Sequence, residues 1–279
     1  NKGKGAAMNT GLAKAKGEYF ASLDADSYVK KDTLQILLPL FKKNVAAALP
    51  LIKLSEKNSF MRKMHSCEYI VNFFYKMQMG RINSIHVTPG PFSVYRTDIV
   101  HKLGGYDEGN LTEDMELALR NQKNNYKIVQ SDIAEVYTKA PVDFRSYKKQ
   151  RNRWYKGTIL NLLDYREMLF NRKYGDLGIF VLPTTLFSSL FSVILFIYLI
   201  YLTAIKPMVN KLYSLSFIHF DFFPLIKNPL ENFSILNFDF IVLFYTAVTA
   251  ITVVIFISMA YKRFRESIKR NFSAFVYYI

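Results

Sequence analysis

The sequence predicts an α/β domain followed by a helical region with two long apolar segments, and three observations carry that prediction. Short β-rich runs alternate with helical patterns from Asn1 to about Lys139. Leu177 to Ile205 then runs 29 residues without a charge, where a membrane-crossing helix needs about 20. Phe240 to Tyr261 is a second uncharged run of spanning length.

Each element follows from its own residues. "EYFASL" before Asp24, "VAAALPLI" from Val45, "SIHVT" from Ser84, "PFSVYR" from Pro91 and "YKIVQ" from Tyr126 read as strands. Between them, "KDTLQILLPLF", "SFMRKMHSCEYIVNFFYKMQM" and "TEDMELALRNQ" place apolar residues at helical spacing. Alternation of this kind predicts a largely parallel sheet covered by helices, with ligands outside the carboxyl ends of the strands. Residues 1–141 are therefore expected to form one domain. Residues 142–176 are basic and aromatic, with nine Lys or Arg against three acids over 142–173, and predict amphipathic helices at a membrane interface. Residues 177–205 and 240–261 predict a transmembrane hairpin, with 206–239, including "FIHFDFFPLI", as its connection.

Charge sets the orientation. Both flanks of the hairpin are basic and the connection holds only Lys206, Lys211 and Lys227, so the α/β domain and the 262–279 tail are expected in the cytoplasm, with the connection outside. Over the whole chain 51% of residues are hydrophobic, yet the formal net charge is +15. That combination points to a polyanionic partner: anionic lipid headgroups or a phosphorylated small substrate. Nucleic acid ranks last, for lack of zinc-finger spacing, an RNA-recognition signature or a basic tail. The single cysteine, Cys67, excludes an intrachain disulfide framework, and His65, His86, His101 and His219 lack metal-ligand spacing. Neither end reads as the natural start or stop of a domain, so a fragment cut at both ends is expected.

Four stretches carry chemistry. In "LDADS", Asp24 and Asp26 follow an apolar strand, where two carboxylates suit a hard cation shared with a phosphate and equally suit a turn or cap. In "NKGKGAAMN", Gly3, Gly5, Lys2 and Lys4 open a helical pattern that would admit an anion, or would fray as a basic terminus. In "GNLTEDMELALR", Asn110 or Thr112 suits an N-cap, and Glu113 and Asp114 suit either the helix dipole or a general base. In "KKQRNRWYKG", Gln150, Arg153 and Trp154 fall on one helical face at spacing i, i+3, i+4. Lys148, Lys149 and Arg151 then point elsewhere, toward headgroups. Such a face fits a diphosphate and a sugar ring, and an interfacial belt of Trp, Tyr and Lys would look the same.

Taken together and in order, "GKGAAMNTGL", "LDADS", "GPFSVYR", "TED" and "QRNRW", followed by apolar helices, resemble the membrane-bound processive glycosyltransferases of family 2. That group contains the cellulose, chitin, hyaluronan and poly-N-acetylglucosamine synthases. The resemblance covers about Asn1 to Tyr261. It implies a GT-A-like nucleotide-diphospho-sugar transferase domain and an inverting, processive β-glycosyl transfer from a UDP-sugar, such as UDP-N-acetylglucosamine or UDP-glucose, to a polysaccharide or oligosaccharide acceptor. Position by position, Asp24 and Asp26 match the D-x-D that binds the nucleotide sugar with Mg²⁺ or Mn²⁺. Asp114 matches the general base, with Glu113 adjoining it. Gln150 and Arg153 match diphosphate-binding positions of Q-x-x-R-W, and Trp154 the support of the acceptor sugar. Gly90, Pro91 and Ser93 match the acceptor segment, and Lys4 the basic residue near the nucleotide.

The family's first strand, its early acid for the uracil and its preceding helices have no counterpart here, so the resemblance implies an N-terminally truncated domain, inactive as given. "GPFSVYR" leans toward hyaluronan and chitin-oligosaccharide synthases, "TED" toward cellulose and poly-N-acetylglucosamine synthases. The competing expectations are a non-processive family 2 transferase with a lipid-linked acceptor, and a non-catalytic protein whose basic helix binds the membrane surface. No motif names the linkage or an accessory subunit.

Overall fold

The run Val45–Leu54 is apolar except at Lys53, and it becomes the buried central strand of the domain. A computed structural model describes residues 3–56, 59–141, 143–217 and 240–268. The chain divides into two units, Asn1–Pro183 with Val254–Ile279, and Thr184–Val253.

In the first unit the order is α1 (Lys4–Lys14), β1 (Tyr19–Leu23), β2 (Tyr28–Val29), α2 (Thr33–Leu37), β3 (Val45–Leu54), α3 (Phe60–Arg81), β4 (Phe92–Arg96), α4 (Thr97–Lys102), α5 (Glu113–Lys123), β5 (Lys127–Thr138) and α6 (Phe144–Asp164). The five strands form one sheet ordered β1-β4-β3-β5-β2. Pro50 would break the ladder of a central strand, having no N–H to donate. It falls where the β3–β5 register shifts between Leu49 and Leu51, so the irregularity accommodates it. Leu37, Ala48, Phe92, Val94, Ala134 and Val136 form a core between the sheet and α2.

The sheet corrects two expectations. It is mixed rather than largely parallel: among the described residues only β3 and β5 pair in parallel, while β1–β4, β3–β4 and β2–β5 are antiparallel. Periodicity reports which residues are buried and says nothing of strand direction. "SIHVT" is not a strand; from Ser84 to Pro89 the backbone is irregular. Its backbone finds partners elsewhere, as when Thr88 donates through both N–H and hydroxyl to the Asp114 carbonyl, at 3.4 and 2.7 Å.

Beyond α6 a helical run extends from Leu177 through α7 (Leu182–Ile200) to the end of α8 (Lys206–Phe217). It contains two π-type turns, Leu177–Val181 and Tyr201–Ile205, and each lies just before a proline, Pro183 and Pro207. A proline inside a helix clashes with the carbonyl four residues back, and a wider turn gives that carbonyl room. The helix therefore continues past 205, the boundary expected from charge alone. Residues 218–239, with most of "FIHFDFFPLI", and the tail from 269 lie outside the described residues. The last helix among the described residues, α9 (Phe240–Arg263), ends in the first unit. There Phe256 and Phe264 meet Phe74 of α3, and Glu266 pairs with Lys53 at 3.3 Å.

Candidate active site

Of the segments that converge on one cavity of about 410 Å³, five carry residues singled out in the sequence. α1 contributes Lys4, the turn after β1 Asp24 and Asp26, the segment before β4 Gly90 and Pro91, α5 Glu113 and Asp114, and α6 Gln150, Arg153 and Trp154. Ten of the eleven residues singled out in the sequence thus line the same cleft. The eleventh, Ser93, does not. It lies fully buried in β4 opposite Ser22, and its hydroxyl donates to the Pro89 carbonyl at 2.9 Å. Strand alternation turns Ser93 inward, where it braces the Pro89–Pro91 turn.

Lys4 sits at the centre of the acids. Its Nζ lies 2.8 Å from Asp24 Oδ1 and 3.1 Å from Glu113 Oε1. Burial works against the charged lysine, but the two carboxylates outweigh it and hold its pKa above the ordinary value. Gly90 leaves room for this pair, since a Cβ there would stand 2.8 Å from Lys4 Nζ and 3.1 Å from Asp24 Oδ2. Gly5 is a packing residue rather than part of an anion nest: a Cβ on it would lie 3.0 Å from Glu108 Cα. α1 is not frayed. The Asn9 side chain donates to the Tyr106 carbonyl at 2.9 Å and accepts from the Tyr106 N–H at 2.7 Å.

Asp114 projects into the cleft from the first turn of α5. Burial raises its pKa, and the neighbouring Glu113 charge adds to that, while Lys4, the Met115 N–H and Lys76 oppose it. Thr112 stands at the N-cap position without making a side-chain cap. Its hydroxyl instead accepts from Asn161 Nδ2 of α6 at 2.9 Å, and Asn110 Nδ2 donates to Asn161 Oδ1 at 2.7 Å. Gly157 lets α6 approach this closely, since a Cβ there would fall 2.5 Å from Thr112 Cγ2. The base candidate and the Gln150, Arg153, Trp154 face are therefore fixed to each other.

Arg151 corrects a further expectation. It points not toward headgroups but at α3, where its two terminal nitrogens meet the two Glu68 oxygens, each at 2.5 Å. The same guanidinium donates to His65 Nε2 at 2.8 Å and lies 4.5 Å from the Trp154 ring centroid. Lys148 and Lys149 are exposed, as expected. Lys76 and His86 also line the cleft and were not singled out in the sequence. The signal was present: Tyr69, Asn72, Phe73 and Lys76 form a helical stripe in which a lysine interrupts apolar and aromatic residues.

The donor set bears on a metal. Among the described residues no three His, Cys, Asp or Glu side chains are grouped so as to hold an ion. Asp24 and Asp26 alone fit a hard dication that draws most of its ligands from phosphate and water, the habit of Mg²⁺ and Mn²⁺.

Residues 19–261 match the family described as "Glycosyl transferase family group 2". The chain belongs to that family. Its mixed sheet is the GT-A-like fold of a family 2 glycosyltransferase. Two relatives illustrate the similarity. The β-monoglucosyldiacylglycerol synthase of Trichormus variabilis is 26% identical over 200 residues, covering 67% of this chain and 43% of that protein. The poly-β-1,6-N-acetyl-D-glucosamine synthase of Staphylococcus epidermidis is 28% identical over 235 residues, covering 80% and 55%. The chain thus spans about half the length of these relatives. Among solved structures, the mannosyltransferase PcManGT of Pyrobaculum calidifontis, in complex with GDP-Man and Mn²⁺, aligns with a TM-score of 0.47 at 18% identity, over 60% of this chain and 44% of that one.

Proposed function

We propose that this family 2 chain carries the transfer site of an inverting β-glycosyltransferase, acting from the cytoplasmic face of a membrane on a UDP-sugar and a growing saccharide. The supporting observation is the cleft itself, where Asp24, Asp26, Glu113, Asp114, Gln150, Arg153 and Trp154 meet although they span 131 positions of sequence.

In this reading Asp114 accepts the proton of the acceptor hydroxyl while that oxygen attacks the anomeric carbon. The attack comes from the face opposite the diphosphate, so the carbon inverts, and the broken C–O bond leaves its electron pair on UDP. Arg153 and Lys4 face the negative charge that grows on the diphosphate, and Gln150 hydrogen-bonds its oxygens. Trp154 packs the acceptor ring. Asp24 and Asp26 would hold Mg²⁺ or Mn²⁺, which supplies further charge stabilisation when bound. The exposed basic and apolar surface of α6, with Lys148, Lys149, Tyr155, Ile159 and Leu163, suits a helix lying on anionic lipid, and the apolar helices suit a path for the product.

A second reading, transfer to a lipid acceptor in a single step, is favoured by the similarity to a glucosyldiacylglycerol synthase. The test is UDP release by the full-length protein with a set of UDP-sugars, with and without Mg²⁺ or Mn²⁺. Asp114→Asn is expected to lower turnover by roughly 10²- to 10⁴-fold, the usual span for losing a general base, and unchanged turnover would refute that role. Products of many sugars support processive transfer; one sugar per acceptor would establish the lipid-type reaction instead. Because burial raises the Asp114 pKa, kcat/KM should fall with acidification at a higher pH than an ordinary aspartate would give.

A further inference from the structure

One wall of the cleft carries a cation that no step above uses. α3 presents Tyr69, Asn72, Phe73, Lys76 and Met79 to the cavity, at intervals that place them along one side of a helix. A stripe packed against a core is apolar throughout. This one interleaves two aromatic rings with an amide and an ammonium.

Lys76 has no ion-pair partner among the described residues, and its Nζ stands 5.0 Å from the Phe73 ring centroid. Loss of hydration pulls its pKa down to about 8, and the charge it feels in return is that of Asp114. His86, which also lines the cleft, is held at about 4 by burial, with the Lys76 charge adding to that, so it stays neutral. The ammonium is thus half-desolvated, close to Asp114 and without the acid that a structural lysine would be given.

We propose that Lys76 binds the saccharide acceptor, its ammonium donating hydrogen bonds to ring hydroxyl oxygens beside the attacking hydroxyl, with Asn72 as its neighbour and Tyr69 and Phe73 as flat supports. This rests on the reading of Asp114 as the base. The chemistry selects the ligand class. A pyranose offers an apolar C–H face to an aromatic ring and a rim of hydroxyls to donors, so both halves of the stripe are satisfied together. An ammonium has three donors and no acceptor. The single hydroxyl of a diacylglycerol would leave most of them unmet, so the stripe favours a sugar over a glycerolipid as acceptor.

The experiment uses the full-length protein with short β-linked glucose and N-acetylglucosamine oligosaccharides as acceptors, and in a second arm with vesicles containing diacylglycerol. Lys76→Met is expected to raise the acceptor KM about 10-fold or more, the effect of losing a charge-assisted hydrogen bond, with the donor KM within about twofold of wild type. Lys76→Arg, which keeps the donors and the charge, should recover most of the acceptor affinity, and an unchanged thermal midpoint for both variants shows that the fold persists. An unchanged acceptor KM in Lys76→Met, or a change confined to the donor KM, overturns the proposal. So does efficient transfer to diacylglycerol that Lys76→Met leaves intact. If wild type turns over and Asp114→Asn does not, such a failure strikes Lys76 alone; if wild type releases no UDP with any sugar, the assignment of the whole site falls with it.

Discussion

Gly157 shows how one missing side chain sets the distance between two elements that line the cleft. Glycine inside a helix ordinarily costs about 0.5–1 kcal/mol relative to alanine, so Gly157→Ala would be stabilising on propensity alone. Here a Cβ would fall 2.5 Å from Thr112 Cγ2 and 2.9 Å from Thr112 Cβ, and Thr112 is itself held by Asn161. Overpacking of this kind costs about 1–3 kcal/mol. Gly157→Ala should therefore lower the thermal midpoint by several degrees, and a raised midpoint would contradict the close approach. Gly90→Ala should behave differently, because its new methyl group meets only the movable tips of Lys4 and Asp24; the expected result is an unchanged midpoint with weaker donor binding. That ten of the singled-out residues line one cleft follows from motifs whose order and spacing are distinctive in the sequence. Ser93 was misplaced because adjacent residues of a strand face opposite ways, and Arg151 because its partners, His65 and Glu68, lie 86 and 83 positions away.

Between elements, the contact of α3 with α6 is a polar clamp. Arg151 spans from Glu68 and His65 to the rings of Tyr147 and Trp154. Arg151→Met leaves the Glu68 carboxylate half-buried without its partner, and breaking such a pair costs about 3–5 kcal/mol when fully buried; Glu68→Gln in the same chain should restore part of the loss. A double-mutant cycle by denaturant unfolding measures the coupling. The clamp also ties stability to pH. Burial, reinforced by the Arg151 charge, holds His65 at about 4, against about 6.5 when unfolded. The unfolded chain then binds more protons below pH 6.5, so this contribution is complete above 6.5 and is lost as pH falls toward 4, at up to roughly 1.4 kcal/mol per unit. His86 adds a slope of the same sign. His65→Gln should flatten the dependence of unfolding free energy on pH between 6.5 and 4; an unaltered slope would show that His65 protonates freely in the fold. Most of the elements were foreseen from hydrophobic periodicity; "SIHVT" was expected as a strand and is irregular, and the short β2 and α4 were not foreseen. Nor were the strand directions, because antiparallel and parallel strands bury the same residues.

At the scale of the whole molecule, two helices among the described residues, Leu177–Asn210 and Leu243–Arg263, are long and apolar enough to cross a membrane, and the most apolar windows are 0% and 11% buried. Exposed to water, that much apolar surface would drive aggregation. The full-length protein should sediment with membranes, resist washing with concentrated salt and dissolve only in detergent. Release by salt alone would mean that the chain is held by its basic helix and not by these segments.

The ammonium of Lys4 between Asp24 and Glu113 has a consequence for how the protein matures. Carboxylates gathered in a half-buried cleft would repel one another and favour unfolding until something positive arrived. Lys4 brings that charge within the chain itself, so under the proposed function the fold forms without waiting for a cation. A chelator should abolish UDP release while leaving the unfolding temperature where it was, and the emptied protein should regain full turnover on addition of Mg²⁺ or Mn²⁺ without any refolding step.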